Sequence, residues 1–203
     1  AGLDRTLALL AETKNEAALA VLAPALESPH APIQSGALRA ILGRRSPHGQ
    51  REVVRLLHRG GESWRNVIGD GRGKLTQALR DGVLGSDRQM CENACDAILW
   101  FREYDLMQSL VMAAEVEDNP NAAVVAKTLL ALADLLYEQL IGPRDYNDRR
   151  DPQLVRAHVV TSLEKSVSRF SKHHVKATLT AFLMLSGRDN AVLKQILIDP
   201  MHP

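Results

Sequence analysis

The sequence predicts an all-α fold arranged as an α-α superhelix, a solenoid of about five antiparallel helix pairs. Hydrophobic residues make up 45% of the chain but aromatic residues only 4%, so the predicted core is aliphatic. Apolar residues recur at the spacings of three and four that place them on one face of a helix, whereas the period-two runs typical of strands are missing. Helix-start signals recur along the chain, namely Ser28-Pro29, Ser46-Pro47, Asn119-Pro120 and Asp151-Pro152.

Residues 28–59 hold two such helices in succession and define the repeating unit. Ser28 is expected to cap the first helix, with Pro29 and Pro32 in its first turn and Gly43 as its end. Its predicted apolar face consists of Ile33, Ala37, Leu38, Ile41 and Leu42. Ser46 and Pro47 start the second helix, whose apolar residues are Val53, Val54 and Leu57 and which Gly60 and Gly61 close. Such a hairpin needs neighbours, because alone it cannot bury both apolar faces.

The same signals predict the other helices in order, about eleven or twelve in all. Before the hairpin, one helix covers 3–13, and Asn15 caps a second that Pro24 is expected to kink or divide. After it, the predicted elements are a short turn around Trp64, a helix over 75–85, one capped by Ser86 or Asp87 that carries Cys91 to Leu99, one over 106–114, a long one from Asn119-Pro120 to about Ile141, one from Asp151-Pro152 through Phe170, and a last pair over 174–186 and 189–198.

Three stretches carry a family resemblance: PIQSGALRAILGRR (32–45), DRQMCENACDAILW (87–100) and NPNAAVVAKTLLALADLL (119–136). Each has small residues followed by large ones, and in this order the chain resembles the HEAT-repeat, or armadillo-like, family. The resemblance implies helix pairs in which the first helix packs outside and the second lines a concave surface. We expect a single HEAT-like domain over residues 1–203, with a hinge at 142–152, and interpret the chain as a segment of a longer protein.

Composition bounds the functions to consider. The net charge of +1 gives no overall field that would select an anionic partner. Two cysteines are too few for a disulfide framework, which favours a reducing, cytoplasmic compartment. No apolar run approaches the roughly 18 residues of a membrane span, so no membrane partner is expected. We predict no bound cofactor and no metal.

Four motifs in the sequence contain residue types that can carry chemistry. Residues 69–74 resemble a phosphate-binding loop, but Ile68 stands where the first glycine belongs and Leu75 follows Lys74, so they are interpreted as a connector. Cys91 and Cys95 lie four apart on one helix face, with no nearby His or Cys to complete a metal site, and are interpreted as buried packing residues. Asp145, Asp148 and Asp151 lack the alternate spacing of a calcium loop and are interpreted as part of a solvated linker.

Asp96, Trp100 and Phe101 form the fourth motif. HEAT-like DNA glycosylases that remove alkylated bases are similar to this chain in length and helix content, and they hold an aspartate among aromatic residues in a basic channel. Here acidic residues surround the pair, and we interpret it as a core tryptophan beside a solvated aspartate. The HEAT-like iron hydroxylases use His-Glu dipeptides as ligands, and this sequence contains none.

Charge is distributed in blocks of alternating sign. The stretch from Arg39 to Arg80 has a net charge of +7, that from Ser86 to Asp118 a net charge of −6, and that from Arg144 to Arg188 a net charge of +5. Two sets of cations recur at helical spacing and are the candidate binding residues: Arg51, Arg55 and Arg59 in the first basic block, and Lys165, Arg169, Lys172 and Lys176 in the second. Such surfaces dock an acidic protein or a phosphate backbone, or are simply solvated.

We therefore predict a non-catalytic module for protein–protein interaction or scaffolding, with a protein partner and without catalytic residues. The alternative is a HEAT-like protein that binds the nucleic-acid backbone through the basic blocks, related to the alkylpurine DNA glycosylases. A third hypothesis is a regulatory lyase-like or cofactor-handling role, which some HEAT-like proteins perform.

Overall fold

The computed structural model describes residues 2–69, 73–144, 148 and 150–198. These residues form thirteen α-helices and one short 3-10 turn and contain no strand, which confirms the all-α prediction. The chain divides into two compact units, one ending at Phe101 and the other starting at Arg102. The single domain over 1–203 and the hinge at 142–152 stay predictions, and residues 145–147 and 149 of that hinge lie outside the described residues.

The first unit contains seven helices: α1 (Gly2–Glu12), α2 (Ala17–Ala25), α3 (Ala31–Arg44), α4 (Pro47–Arg55), α5 (Leu57–Gly69), α6 (Thr76–Leu84) and α7 (Arg88–Phe101). Helices one or two places apart in the chain pack together, as α3 does with α1, α2, α4 and α5, and α6 does with α7. Its core is aliphatic, as predicted, with Trp64 as its largest fully buried side chain.

The second unit opens with the 3-10 turn Tyr104–Leu106 and continues with six helices: α8 (Met107–Glu115), α9 (Ala122–Ile141), α10 (Pro152–Val167), α11 (Phe170–His173), α12 (Lys176–Leu185) and α13 (Ala191–Ile198). In this unit α9 packs on α8 and α12, and α10 packs on α8, α9 and α12. None of the described helices combines the length and the apolar composition that a membrane crossing requires.

Two of the four predicted helix starts, at Ser46-Pro47 and Asp151-Pro152, are confirmed, whereas α9 begins at Ala122, two residues after Pro120. The side chain of Asp151 accepts a hydrogen bond from the backbone N–H of Gln153 (2.9 Å) and caps α10, and Asp87 accepts one from the N–H of Met90 (2.7 Å) at the start of α7. The prediction for Ser28 was wrong by two residues. Its Oγ accepts the N–H of His30, which forms a turn before the helix, and α3 begins only at Ala31.

Glycine predicted the ends of helices less accurately than the start signals predicted their beginnings. The helix α3 runs through Gly43, the predicted end, and stops where Arg45 takes a left-handed conformation with φ of 55°. The cause lies downstream, because Pro47 disfavours helical geometry for Ser46, which is extended. At Gly61 the backbone does leave the helix, with φ of 54°, but helical geometry resumes as far as Gly69.

Buried side chains close the ends of helices in the first unit. The guanidinium of Arg44 donates to the carbonyl oxygens of Leu10 (2.8 Å), Thr13 and Asn15 (3.0 Å), where α1 ends and α2 approaches. The amide of Asn93 on α7 donates to the carbonyl oxygens of Val54 and Arg55 at the end of α4, both at 2.9 Å. These contacts satisfy carbonyls that a helix cannot pair internally.

The first prediction concerns the hairpin of α3 to α5. Leu42 and Leu57 are 3% and 1% exposed, which confirms that both are buried. Truncating either to Ala should lower the free energy of unfolding by about 2–5 kcal/mol, because each leaves a cavity in a packed core. Urea unfolding measures this loss, with Leu84→Ala as the control, since Leu84 is 46% exposed. Wild-type midpoints for both buried variants would contradict the packing.

The second prediction concerns the amide at the end of α4. Asn93→Ala should cost about 1–3 kcal/mol, because two carbonyl oxygens lose a buried donor. The exposed neighbour Gln89, which donates only to Asn93, provides the control variant Gln89→Ala. If the two variants were equally stable in urea, water would replace the amide as the donor without any loss of stability.

Candidate interaction surface

The first set of candidate cations is exposed but paired. Arg51 directs its Nε and Nη2 to Oδ2 of Asp81 on α6, at 3.2 and 2.9 Å. Asp81 lies one residue beyond the stretch whose charge predicted a basic surface. The folded chain therefore brings an acid to this arginine that the count along the sequence did not include.

Arg55 and Arg59 share acidic neighbours in the same way. Arg55 donates from Nε and Nη2 to Oε2 of Glu52, at 3.0 and 2.8 Å, and its Nη2 lies 3.9 Å from Glu27. Arg59 donates to Glu27, which lies between α2 and α3. The hydrogen bond with Glu52 raises the pKa of Arg55 above its ordinary value. A binding role for this set stays a prediction, and a ligand there would have to displace these carboxylates.

The second set lies in the second unit and does not occupy one helix. Lys165 is in the last turn of α10, Arg169 precedes α11, Lys172 is in α11, and Lys176 is the first residue of α12. The prediction of a helix continuous through Phe170 was wrong, because α10 ends at Val167. All four side chains are nevertheless exposed.

A buried histidine defines the break after α10. Nδ1 of His173 accepts the backbone N–H of Val175 (3.0 Å), so Nε2 carries the proton and donates to the carbonyl oxygen of Ser166 (3.1 Å). His174 takes a left-handed conformation with φ of 52° and redirects the chain into α12. The segment that carries the cations is therefore held in a defined shape.

One carboxylate of α8 anchors this segment. Oε2 of Glu115 accepts from Nη2 of Arg169 at 2.9 Å, and its buried Oε1 lies 3.5 Å from Nε2 of His173. Sequence reasoning missed Glu115 and His173, because they lie far apart in the chain and no motif links them. Ser166 is also within 3.5 Å of His173 but is fully buried, so this group offers no accessible nucleophile.

The three lysines of the segment differ from the arginines. Within the described residues, Lys165, Lys172 and Lys176 make no ion pair, and their side chains extend into solvent. We call Lys165, Arg169, Lys172 and Lys176 the basic segment. The backbone of the basic segment is fixed. A described carboxylate neutralises Arg169, whereas none neutralises the three lysines. The basic segment is therefore suited to a surface that carries several negative charges.

The structure shows which side chains contact the remaining motifs. The Arg65 guanidinium lies 4.5 Å from the centre of the half-buried Trp100 ring, and Asp96 is exposed. Asp148 pairs with Arg150 at 2.8 Å and raises the pKa of that guanidinium, whereas Asp145 lies outside the described residues. Residues 70–72 of the glycine-rich connector also lie outside them. In the described part of the chain, no three His, Cys, Asp or Glu side chains are grouped to hold a metal.

Comparison with protein-family models, with curated proteins and with solved structures found no match to this chain. The HEAT-repeat resemblance accordingly stays a proposal.

The third prediction concerns the buried thiols, Cys91 and Cys95. The hydrogen bond with Cys95 and burial raise the pKa of Cys91, whereas unfolding restores its ordinary value near 9.0. The folded state therefore keeps the Cys91 proton at a pH where the unfolded chain has lost it. The free energy of unfolding is unaffected below that pH and falls above it, by about 1.4 kcal/mol for each pH unit. Urea unfolding at mildly and strongly alkaline pH should show a shallower decline for Cys91→Ala than for wild type. If the free energy of unfolding fell equally with pH in Cys91→Ala and wild type, the raised pKa of Cys91 would not contribute to stability.

Proposed function

We propose that the chain is a non-catalytic HEAT-like helical-repeat module that binds an acidic surface of a protein partner through its basic segment. The observation that carries the proposal is the exposure of Lys165, Lys172 and Lys176 without a described carboxylate partner. Arg51, Arg55 and Arg59, by contrast, are neutralised within the chain. A partner at the basic segment gains three charge pairs without first breaking any.

The packing within each unit supports a repeat architecture. Successive helices joined by short connectors contact one another, as α6 does with α7 and α8 does with α9. This local packing is typical of solenoids, in which each repeat mainly contacts its neighbours. Two buried thiols without a disulfide fit a reducing compartment, and a cytoplasmic location is part of the proposal.

A phosphate backbone is the second candidate ligand of the same lysines, since it also offers closely spaced anions. Base-removing chemistry is less well supported. Arg65 lies over the Trp100 ring, so that face is not open for a base to stack on, and Asp96 is exposed to water.

The fourth prediction tests the basic segment directly. Combining Lys165→Glu, Lys172→Glu and Lys176→Glu should abolish capture of specific partner proteins from cell extract at moderate salt. The free energy of unfolding should change by less than about 0.5 kcal/mol for each substitution, because exposed unpaired charges contribute little. Quantitative mass spectrometry of captured proteins and urea unfolding measure the two effects.

A matched control exists in the same chain. Lys14, Lys74 and Lys127 are also exposed and make no described ion pair, so their triple replacement by Glu changes the net charge equally. The control should retain the proteins that the basic-segment variant loses. An unchanged set of captured proteins in both variants would overturn the proposal.

Duplex DNA separates the two ligand classes. If the backbone were the ligand, DNA binding at physiological salt should be lost in the basic-segment variant and kept in the control, and it should weaken steeply with added salt. That result, without loss of any protein partner, would replace the proposal with the nucleic-acid alternative.

A further inference from the structure

The second unit contains a groove that none of the predicted site residues lines. It lies between α10, which contributes Gln153, Arg156, Ala157 and Val160, and residues 187–190 of the loop that joins α12 to α13. Its volume is about 400 Å³. This volume lies within the range of small-ligand sites.

One arginine is held at this groove by backbone and amide oxygens alone. Nε of Arg156 donates to the carbonyl oxygen of Leu185 (2.6 Å) and Nη1 donates to Oε1 of Gln153 (3.3 Å). A Cβ on Gly187 would lie 3.0 Å from Nη2, so the glycine lets the guanidinium lie close against the loop. Nη2 makes no described hydrogen bond. The two bonds from Nε and Nη1 orient the guanidinium, and no described carboxylate pairs with its charge.

The carboxylates near the groove are already bound by other groups. Asp189 accepts from Nζ of Lys194 (3.1 Å), and Oε1 of Glu164 accepts from Nδ2 of Asn190 (2.5 Å). Arg188 is exposed and makes no described hydrogen bond or ion pair. Two guanidinium groups therefore line one groove without a described carboxylate partner.

We propose that this groove binds an acidic peptide segment, with a carboxylate bound between Arg156 and Arg188. Guanidinium groups suit this ligand because their planar donors match the two oxygens of a carboxylate. Ala157 and Val160 supply apolar contacts, and Leu154, one turn before Ala157 on α10, is 71% exposed. A glutamate flanked by leucine complements this surface, because its carboxylate matches the arginines and its leucine matches the apolar residues, for which a phosphate backbone has no side chain.

Fluorescence anisotropy with a labelled octapeptide of glutamate, leucine and serine tests the inference on the full chain. Arg188→Glu should weaken binding at least about tenfold, because it replaces an attractive charge with a repulsive one. Arg156→Lys should weaken binding by a smaller factor, because it keeps the charge and loses the paired donors. The matched peptide with glutamine for glutamate should bind neither wild type nor variants.

Lys127→Glu on α9 is the control, since that lysine is exposed, unpaired and not part of the groove. It should bind the peptide as wild type does, and circular dichroism should show that all variants keep their helices. Equal affinity of wild type and Arg188→Glu would overturn the inference. Binding of the glutamine peptide would also overturn it. So would a result in which wild type binds duplex DNA but not the peptide and Arg188→Glu abolishes the DNA binding.

Discussion

The described structure depends on the satisfaction of carbonyls at helix ends by side-chain donors from distant parts of the chain. Short connectors leave each helix with carbonyl oxygens that it cannot pair internally. Arg44 and Asn93 supply donors in the first unit, and Arg156 on α10 and Arg150, which precedes α10, do so in the second, where they bind the carbonyl oxygens of residues 185 and 102. Because each donor lies tens of residues from its acceptor, these contacts fix neighbouring helices together as well as ending them.

This use of arginine changes how the charge of the chain should be interpreted. A basic residue counted along the sequence can be a helix-end donor, a partner of a distant acid or a free surface cation. Arg44 is of the first kind and Arg51 of the second, whereas Lys172 is of the third. Only the second kind has its charge neutralised within the chain, and the free lysines of the third kind are why the proposed binding surface is the basic segment of the second unit.

Part of that surface could be predicted from sequence. The spacing of Lys165, Arg169, Lys172 and Lys176 predicted exposed cations, and all four are exposed, since charged side chains seldom tolerate burial. Their arrangement could not be predicted, because the break after Val167 depends on His173 packing against the end of α10. The Arg156–Arg188 groove was also missed, since its two sides come from parts of the chain that no motif connects.

The sequence by itself determined the helical class and most helix positions, because apolar periodicity and caps such as Asp151 act within one or two turns. It also determined that Leu42 and Leu57 are buried, since both lie on apolar helix faces. Tertiary structure alone decided which arginines keep a free charge, and it brought Glu115 to Arg169. The physical reason is distance along the chain: these ionic contacts join residues that only the packed helices bring together.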